Sequence, residues 1–421
     1  MTPPHFEFRS QPSAESRHTP QDAVKFVLSL ARALHTYGYN AQQLEEALAG
    51  ESHRLGLIAQ FFSTPTSIFA AFGPQDDQRV YLLRVEPGDV DLGKLAELDR
   101  ATLAVVSGDL SPAQGARRIA EIVAAPPPYG ELLTTLAFGV SSGAVSRFLG
   151  GGWREMAVGA AIGLVIGLLA LGAARRPAIG RVFEFLAAFL GAGLATAAGV
   201  LLAPLNVLTT TLAGIIILLP GLTLTTALQE LASRHLSSGI ARLSSAFMVF
   251  LAIAFGVALG GRLAAEALGV PPVAPPPVMP GWTLVAALLL VPLAFTVLLR
   301  ALPRDVPWIV ASGALAFLGS RIGSDALGPE LGGFIGALVV GVASNLYARF
   351  LDRPANIPLV PGVLLLVPGS IGYRSLASLL ERDTVSGVEA AFRMVLIAVS
   401  LVAGLLAAQV VSPERRSLDR P

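Results

Sequence analysis

The chain has 421 residues, of which 53% are hydrophobic and only 14% are charged, a composition that excludes an ordinary set of soluble domains. The formal net charge of +1 and the lack of Lys/Arg clusters exclude a nucleic-acid binder, and the absence of cysteine excludes disulfides, thiolate nucleophiles and thiolate metal sites. We therefore expect a membrane protein that is not an enzyme and has no metal or other cofactor.

Charge is distributed unevenly along the chain. Residues 1–130 carry 11 Lys+Arg and 15 Asp+Glu, whereas the much longer segment 131–421 carries 19 and 14. An acidic soluble third therefore precedes a membrane region. Residues 1–20, rich in Pro, Ser and charge, are expected to be a disordered lead-in, and no signal-peptide hydrophobic stretch follows them. This pattern predicts a cytoplasmic N-terminus.

Residues 21–125 are predicted to form a small cytoplasmic α+β domain. Apolar residues at helical spacing, and the capping capacity of Asn40, indicate two helices at its start. Short segments rich in β-branched and aromatic residues, separated by Pro and Gly, then indicate a meander. The expected elements are helices 22–38 and 40–54, strands 58–64, 67–72 and 78–86, and helices 91–107 and 112–124. A stiff Pro-rich linker, 126–130, leads into the membrane.

Ten apolar stretches follow the linker, each of roughly the 20 residues that cross a bilayer core. They are 131–149, 154–173, 180–203, 207–220, 238–261, 281–300, 305–323, 330–350, 356–368 and 386–411. With a cytoplasmic N-terminus, twelve Arg fall at inner ends of these stretches and seven at outer ends. The excess of positive charge inside predicts that both termini are cytoplasmic.

A shift of the chain by 148 residues reveals an internal repeat. It places Gly214, Pro220, Gly221 and Gly239 on Gly362, Pro368, Gly369 and Gly387. The same shift carries the first five stretches onto the second five, and because five is odd the halves enter the membrane from opposite sides. The sequence thus predicts two inverted five-helix repeats, 131–262 and 281–411, an arrangement typical of alternating access. A Pro-rich extracytoplasmic connection, 263–280, joins them, and 412–421 is a cytoplasmic tail.

Two Pro-Gly pairs, in Leu-Leu-Pro-Gly at 218–221 and Leu-Val-Pro-Gly at 366–369, interrupt the predicted helices. A helix that starts after such a break directs free N–H groups and its positive dipole end forward, which suits a substrate carboxylate. Hydroxyl groups follow both breaks. The candidate substrate-binding residues are Pro220, Gly221, Thr223, Thr225, Thr226, Pro368, Gly369, Ser370 and Tyr373. Alternatively, each pair merely ends a span and the next helix lies along the interface, giving no site.

Two carboxylates near the spans are candidates for proton coupling, since an unpaired charge in hydrocarbon is costly. Glu230 follows the first break by nine residues and shares a helix face with Thr223 and Thr226. The alternative for Glu230 is an exposed i,i+4 ion pair with Arg234. Glu184 lies one turn inside the third stretch, where its side chain could still reach the interface.

An ordered set of short motifs runs along the chain: Leu30 to Gly38, Asn40 to Leu57, Thr64 to Thr66, Val85 to Leu95, Leu218 to Gly221, Ser238 to Arg242, Ile357 to Gly362, and Val367 to Ser370 with Tyr373. Together these motifs resemble the threonine/serine exporter family. The resemblance spans nearly the whole chain and implies proton-driven export of threonine and serine from the bacterial cytoplasm, by a multi-pass protein of the inner membrane. Its partners would be these substrates, protons and the lipid bilayer, and a homo-oligomer is left open. Thr226 and Glu230 stand where Asn and Asp are expected.

The sequence as a whole predicts a ten-span secondary transporter that exports small hydroxylated amino acids, with a cytoplasmic domain that regulates or gates it. A transporter of another small metabolite remains an alternative, as does a membrane-anchored ligand sensor or scaffold. The repeat disfavours the sensor and scaffold, because an anchor needs no such symmetry. A membrane enzyme would need a cluster of His, Asp or Glu within the spans, and the sequence shows none.

Overall fold

The computed structural model describes residues 19–202, 204–272, 278–367, 369, 371–372, 375, 378 and 383–413. These residues are mostly helical and include one three-stranded sheet. The elements before the Pro-rich linker are α1 (Pro20–Thr36), α2 (Ala41–Arg54), β1 (Ala59–Thr64), β2 (Ser67–Phe72), β3 (Arg79–Arg84), α3 (Leu92–Val106) and α4 (Pro112–Ala124). We call this region the soluble domain.

The helices of the soluble domain start at side-chain caps. Thr19, Asn40, Asp91 and Ser111 each accept a hydrogen bond from a backbone N–H in the first turn that follows. Such caps satisfy donors that the helix itself leaves unpaired, so they fix where each helix begins. The sheet is antiparallel in the order β1-β2-β3. Its core side chains pack with those of the four helices around Phe26.

The membrane region consists of twelve described helices. They are α5 (Glu131–Phe148), α6 (Trp153–Arg175), α7 (Pro177–Gly180), α8 (Phe183–Leu201), α9 (Val207–Gly214), α10 (Gly221–Ala232), α11 (Leu236–Leu268), α12 (Trp282–Leu298), α13 (Val306–Leu327), α14 (Gly332–Leu351), α15 (Asn356–Leu366) and α16 (Thr384–Val411). We call α5–α11 the first half and α12–α16 the second half.

Six of these helices, α6, α8, α11, α13, α14 and α16, are long and apolar enough to cross a membrane. Helix α9 and the segment Ile216–Ala232, which comprises a 3₁₀ turn and α10, would add a seventh span if they form one bent unit, since the chain bends there by 54°. Helices α12 and α15 are apolar but shorter. The protein is therefore an integral membrane protein with six or seven candidate spans among the described residues, and the ten spans expected from the sequence stay a prediction.

The chain between α9 and α10 is not α-helical. Gly214 ends α9, Ile216–Leu218 form a single 3₁₀ turn, and Pro220 immediately precedes α10. Proline has no N–H to donate, so the α-helical hydrogen-bond ladder stops there. The apolar stretch 207–220 is consequently not one continuous helix.

The two halves repeat one pattern of helix packing. In the first half α5 packs on α6, α8 on α11, and α6 on α9. In the second half α12 packs on α13, α14 on α16, and α13 on α15. The halves meet where α5 packs on α12 and where α10 contacts α15 and α16. The order of contacts agrees with an internal repeat, and the inverted orientation of the halves stays a prediction.

Candidate functional site

The two Pro-Gly breaks lie against each other. Gly221, the first residue of α10, sits so close to Val367 that a Cβ atom at 221 would collide with the valine side chain, and it would lie 3.7 Å from the Gly369 nitrogen. A Cβ atom on Gly369 would lie 3.2 Å from Cβ of Leu219. Residues 148 positions apart are thus brought into contact, and the close approach requires glycine at 221.

A cavity of about 60 Å³, which we call the junction cavity, lies between α10, α15, α16 and the soluble domain. Hydroxyl and amide groups provide its polar lining, from Thr225, Thr226, Gln229, Asn356, Asn40 and Gln43. Apolar side chains such as Leu222 and Val363 line the remainder. None of the described residues that line the cavity is charged. Its walls therefore suit a small, polar molecule of no net charge.

The predicted site residues fall into three groups. Thr225 and Thr226 line the junction cavity, and the Thr225 hydroxyl also donates to the Gly221 carbonyl at 3.0 Å. Pro220, Gly221 and Gly369 lie at the breaks, whereas Thr223 is partly exposed on α10 and is not part of the lining. Pro368, Ser370 and Tyr373 lie outside the described residues.

Four polar lining residues were not among the sequence candidates. Gln229 follows Thr226 by three positions, so helical spacing alone would have placed it on the same face. Asn40 was expected only as a helix cap, and it does cap α2, since its Oδ1 accepts the Gln43 N–H at 2.8 Å. Gln43 donates its side-chain amide to Oδ1 of Asn356 at 3.3 Å. No local signal predicts that contact, because the two residues are 313 positions apart.

Glu230 is fully buried and joins the first half to the soluble domain. Its Oε1 accepts the backbone N–H of Ala41, the first residue of α2, at 2.9 Å. Both carboxylate oxygens accept from Nε of Arg242 at 3.0 Å. The predicted alternative for Glu230, an exposed i,i+4 ion pair with Arg234, is therefore wrong. Arg234 adopts a left-handed conformation (φ 67°) in the turn that leads into α11. Arg242, which follows this turn, binds Glu230 instead.

A second polar contact lies beside Glu230. His235 Nε2 is 3.3 Å from Glu45 Oε2, and the other Glu45 oxygen accepts the Ser63 N–H at 2.7 Å. Burial raises the pKa of Glu45, although the Ser63 N–H and His235 oppose this shift. Glu184, the other coupling candidate, lies partly exposed in the first turn of α8 and does not line the junction cavity.

The soluble domain also contacts the second half, at the C-terminal end of α12. The first N–H groups of α3 donate to carbonyls there, Leu92 to Leu299 at 3.0 Å and Gly93 to Arg300 at 3.1 Å. The Tyr129 hydroxyl donates to the next carbonyl, that of Ala301, at 2.7 Å. The unpaired N–H groups at the start of α3 therefore bond the unpaired carbonyl groups at the end of α12.

Among the described residues, no group of three or more His, Asp or Glu side chains is placed to hold a metal ion. The polar groups gathered at the junction cavity are hydroxyls and neutral amides, which bind by hydrogen bonds. The arrangement is thus equipped for recognition of a small polar molecule at the place where the broken helices meet.

Two family models match most of the chain. The model described as "Putative threonine/serine exporter" matches residues 25–264, and the model described as "Threonine/Serine exporter, ThrE" matches residues 284–411. The first match covers most of the soluble domain and of the first half, and the second covers most of the second half.

Fungal proteins are among the curated relatives. The chain is 25% identical over 363 residues to pheromone-regulated membrane protein 10 of Candida albicans, covering 83% of this chain and 33% of that protein. It is 27% identical over 365 residues to the protein of that name from Eremothecium gossypii, covering 83% and 48%. The chain thus spans about a third to a half of the length of these relatives. No solved structure matches it significantly. On the two family matches, the chain belongs to the threonine/serine exporter family.

Proposed function

We propose that this member of the threonine/serine exporter family is a secondary transporter that exports threonine, serine and similar small amino acids by proton antiport. The observation that carries the proposal is the contact of the two Pro-Gly breaks, Gly221 against Val367 and Gly369. Transporters built from two related halves bind their substrates where interrupted helices of the halves meet. Family membership supports a transporter, and the junction cavity beside the breaks supports a small polar substrate.

The chemistry of the junction cavity favours a hydroxylated zwitterion. Thr226, Gln229 and Gln43 offer hydrogen-bond partners for a hydroxyl group without a charge that would repel either end of an amino acid. Asn356 is the first residue of α15 and lines the cavity, so the positive end of that helix dipole lies close by. A substrate carboxylate is stabilised in such a position.

We propose Glu230 as the proton-coupling residue, with Glu184 as the second candidate. Protonation of Glu230 would remove the charge that attracts Arg242 and the N-terminus of α2. A proton taken up here would weaken the contact between the first half and the soluble domain, beside the junction cavity. Glu230→Gln should retain threonine exchange and lose pH-driven accumulation, and an unchanged pH dependence would contradict the coupling role.

The protein is a multi-pass membrane protein, and we propose that both termini are cytoplasmic. Helix α11 has 33 residues and is about 50 Å long, longer than the bilayer core of about 30 Å. Its first turns, which carry Arg242, contact the soluble domain, so we place this end in the cytoplasm. A bacterial inner membrane is part of the proposal on the family resemblance alone, because the relatives described above are fungal.

Export is tested most directly with cells preloaded with a threonine-containing dipeptide, which intracellular peptidases convert to free threonine. Cells that produce the protein should release threonine faster than cells that lack it, and an uncoupler should abolish the difference. Equal release from both cell types would contradict the export proposal, and a difference that survives the uncoupler would contradict proton antiport.

A matched pair of variants tests whether the junction cavity is the substrate site. Thr226→Val removes a cavity hydroxyl with little change of volume, and we expect at least a tenfold loss of threonine export. Thr134→Val removes a hydroxyl of α5 that bonds only the Gly130 carbonyl, and it should leave export unchanged. Equal export by the two variants would place the substrate elsewhere.

A further inference from the structure

The soluble domain supplies part of the wall of the junction cavity. Asn40 and Gln43, at the start of α2, line the cavity opposite Thr225 and Thr226 of α10. The loop between α1 and α2 contributes Gly38 to the same wall, and the loop between β3 and α3 contributes Val90. The cavity is therefore built jointly by the first half, the second half and the soluble domain.

One side-chain hydrogen bond links α2 to the second half across this cavity. The Gln43 amide nitrogen donates to Oδ1 of Asn356, and both residues also line the cavity. Since each amide can donate and accept, either group can exchange its partner for a ligand that presents a hydroxyl and a carboxylate. The bond thus joins two cavity walls by groups that also suit the proposed substrate.

Helix α2 packs into the core of the soluble domain through Leu44 and Leu48, and it also has polar partners outside that domain. Its first N–H bonds the buried Glu230 carboxylate of the first half, while Gln43 bonds Asn356 of the second half. Helix α3 is held separately, by the carbonyls of Leu299 and Arg300. The soluble domain consequently contacts both halves on one side and forms part of the junction-cavity wall there.

We propose that the soluble domain forms the cytoplasmic wall of the amino-acid site, and that Gln43 is a specificity-determining residue which exchanges Asn356 for the substrate hydroxyl. This inference rests on the proposed function and assigns the part of the site that faces the cytoplasm. Substrate reaches the cavity from the cytoplasm when Gln43 and Asn356 separate. The ligand is a small zwitterion with a side-chain hydroxyl.

The specificity role is tested by comparing threonine with valine, which has the same shape and lacks the hydroxyl. A site that must leave a buried amide unpaired rejects such an analogue. Gln43→Leu should lower the ratio of threonine to valine export at least tenfold. Gln42→Leu is the matched control, since the neighbouring amide bonds Glu46 on α2 and does not line the cavity, and it should keep the wild-type ratio.

The separation of Gln43 from Asn356 is tested by cross-linking. The chain contains no cysteine, so Gln43→Cys and Asn356→Cys create the only two thiols in it. A short, reducible bifunctional thiol reagent should abolish threonine export by the double variant, and a reducing agent should restore it. Each variant is compared with its own untreated export rate, which lies below that of the wild type for the single variants too, because both residues line the cavity. Only the double variant should lose that rate on treatment with the reagent and regain it on reduction.

The outcomes separate this inference from the function on which it rests. If the wild-type chain moves no threonine, the proposed function fails. The exporter proposal stands if the wild type exports threonine. The inference about the soluble domain is then wrong if Gln43→Leu keeps the wild-type ratio of threonine to valine export, or if the cross-linked double variant exports threonine at its untreated rate. A lower ratio of threonine to valine export in Gln43→Leu, together with reversible loss of threonine export on cross-linking of the double variant, supports the inference.

Discussion

The soluble domain is attached to the two halves by chemically different contacts. At the first half, the N-terminus of α2 meets the Glu230 side chain, which Arg242 also binds. At the second half, the N-terminus of α3 meets the main-chain carbonyls of Leu299 and Arg300. Both contacts satisfy the free N–H groups of a helix start. One depends on an ionisable side chain, and the other is made through backbone atoms, beside which Arg300 also pairs with Asp89 and Asp91.

This difference indicates which contact can change during transport. A carboxylate can be neutralised by one proton, so the attachment of α2 can be weakened and restored. The attachment of α3 is reinforced by apolar packing, since Ala301 and Ile309 of the second half belong to the same buried cluster as Phe26 and Leu98 of the soluble domain. Since Leu44 and Leu48 of α2 belong to the same cluster, we expect only the contact of α2 with Glu230 to loosen, while the soluble domain stays on the second half.

The largest expected effect is that of Glu230→Leu, which breaks the side-chain contact. Removal of one partner of a buried ion pair leaves the other unpaired, at a cost of about 3–5 kcal/mol. We expect a large fall in Tm of the detergent-solubilised protein, with a smaller fall for Glu230→Gln, which retains an acceptor for the Ala41 N–H. Glu184→Gln is the control and should change Tm little. Equal Tm values for Glu230→Leu and the wild type would contradict a stabilising contact of Glu230 with Arg242 and the start of α2.

The two breaks differ in the room that they leave. Gly221→Ala forces a methyl group into Val367, whereas the nearest described neighbour of the methyl group in Gly369→Ala is Leu219, at 3.2 Å. Overpacking costs about 1–3 kcal/mol. We expect Gly221→Ala to lose export and Gly369→Ala to retain much of it, and Val367→Ala should partly restore export to Gly221→Ala. A Gly221→Ala variant as active as the wild type would show that the breaks need not touch.

The backbone contact is tested by Gly93→Ala. A Cβ atom there would lie 2.6 Å from the Arg300 carbonyl oxygen and would push α3 away from α12. Loss of the two backbone hydrogen bonds should lower stability by about 1–2 kcal/mol. Thermal unfolding of the purified protein measures this loss, with Gly130→Ala as the control, because a Cβ atom at 130 has no neighbour within 4 Å. Similar unfolding of both variants would mean that α3 is held by apolar packing alone.

The smallest expected effect is on pH dependence. His35 is buried, and its Nε2 lies 3.1 Å from the Thr64 carbonyl oxygen. Burial lowers the pKa of His35 from 6.5. The hydrogen bond to Thr64 opposes this shift, and the positive charge of Arg242 adds to it. The folded chain then binds fewer protons at this residue than the unfolded chain, so stability is lost as the pH falls below 6.5. Glu45, whose pKa is raised, acts in the opposite sense.

The contribution of His35 is isolated by comparing two proteins over the same pH range. Between pH 7.5 and 5.5 the Tm of the wild type should fall by more than that of His35→Gln, because Glu45 contributes similarly to both. Parallel changes of Tm in the two proteins would rule out His35 as the source of the acid sensitivity.

Local rules were sufficient for much of the soluble domain and for the position of the first break. Helices expected at 91–107 and 112–124 are found at Leu92–Val106 and Pro112–Ala124, because Asp91 and Ser111 cap their first turns. The helix interruption at Pro220 follows from the missing N–H of proline. These features depend on a few neighbouring residues, so the sequence by itself determined them.

Only the tertiary structure decided which distant groups meet. Sequence spacing suggested Arg234 as the partner of Glu230, but the left-handed turn at Arg234 reverses the chain and brings in Arg242 instead. The 148-residue shift relates Gly221 to Gly369 but does not predict that they touch, and Gln43 and Asn356 share no local signal at all. Such contacts are set by the packing of whole helices, which buries apolar surface across the chain and fixes the polar pairs that fit between them.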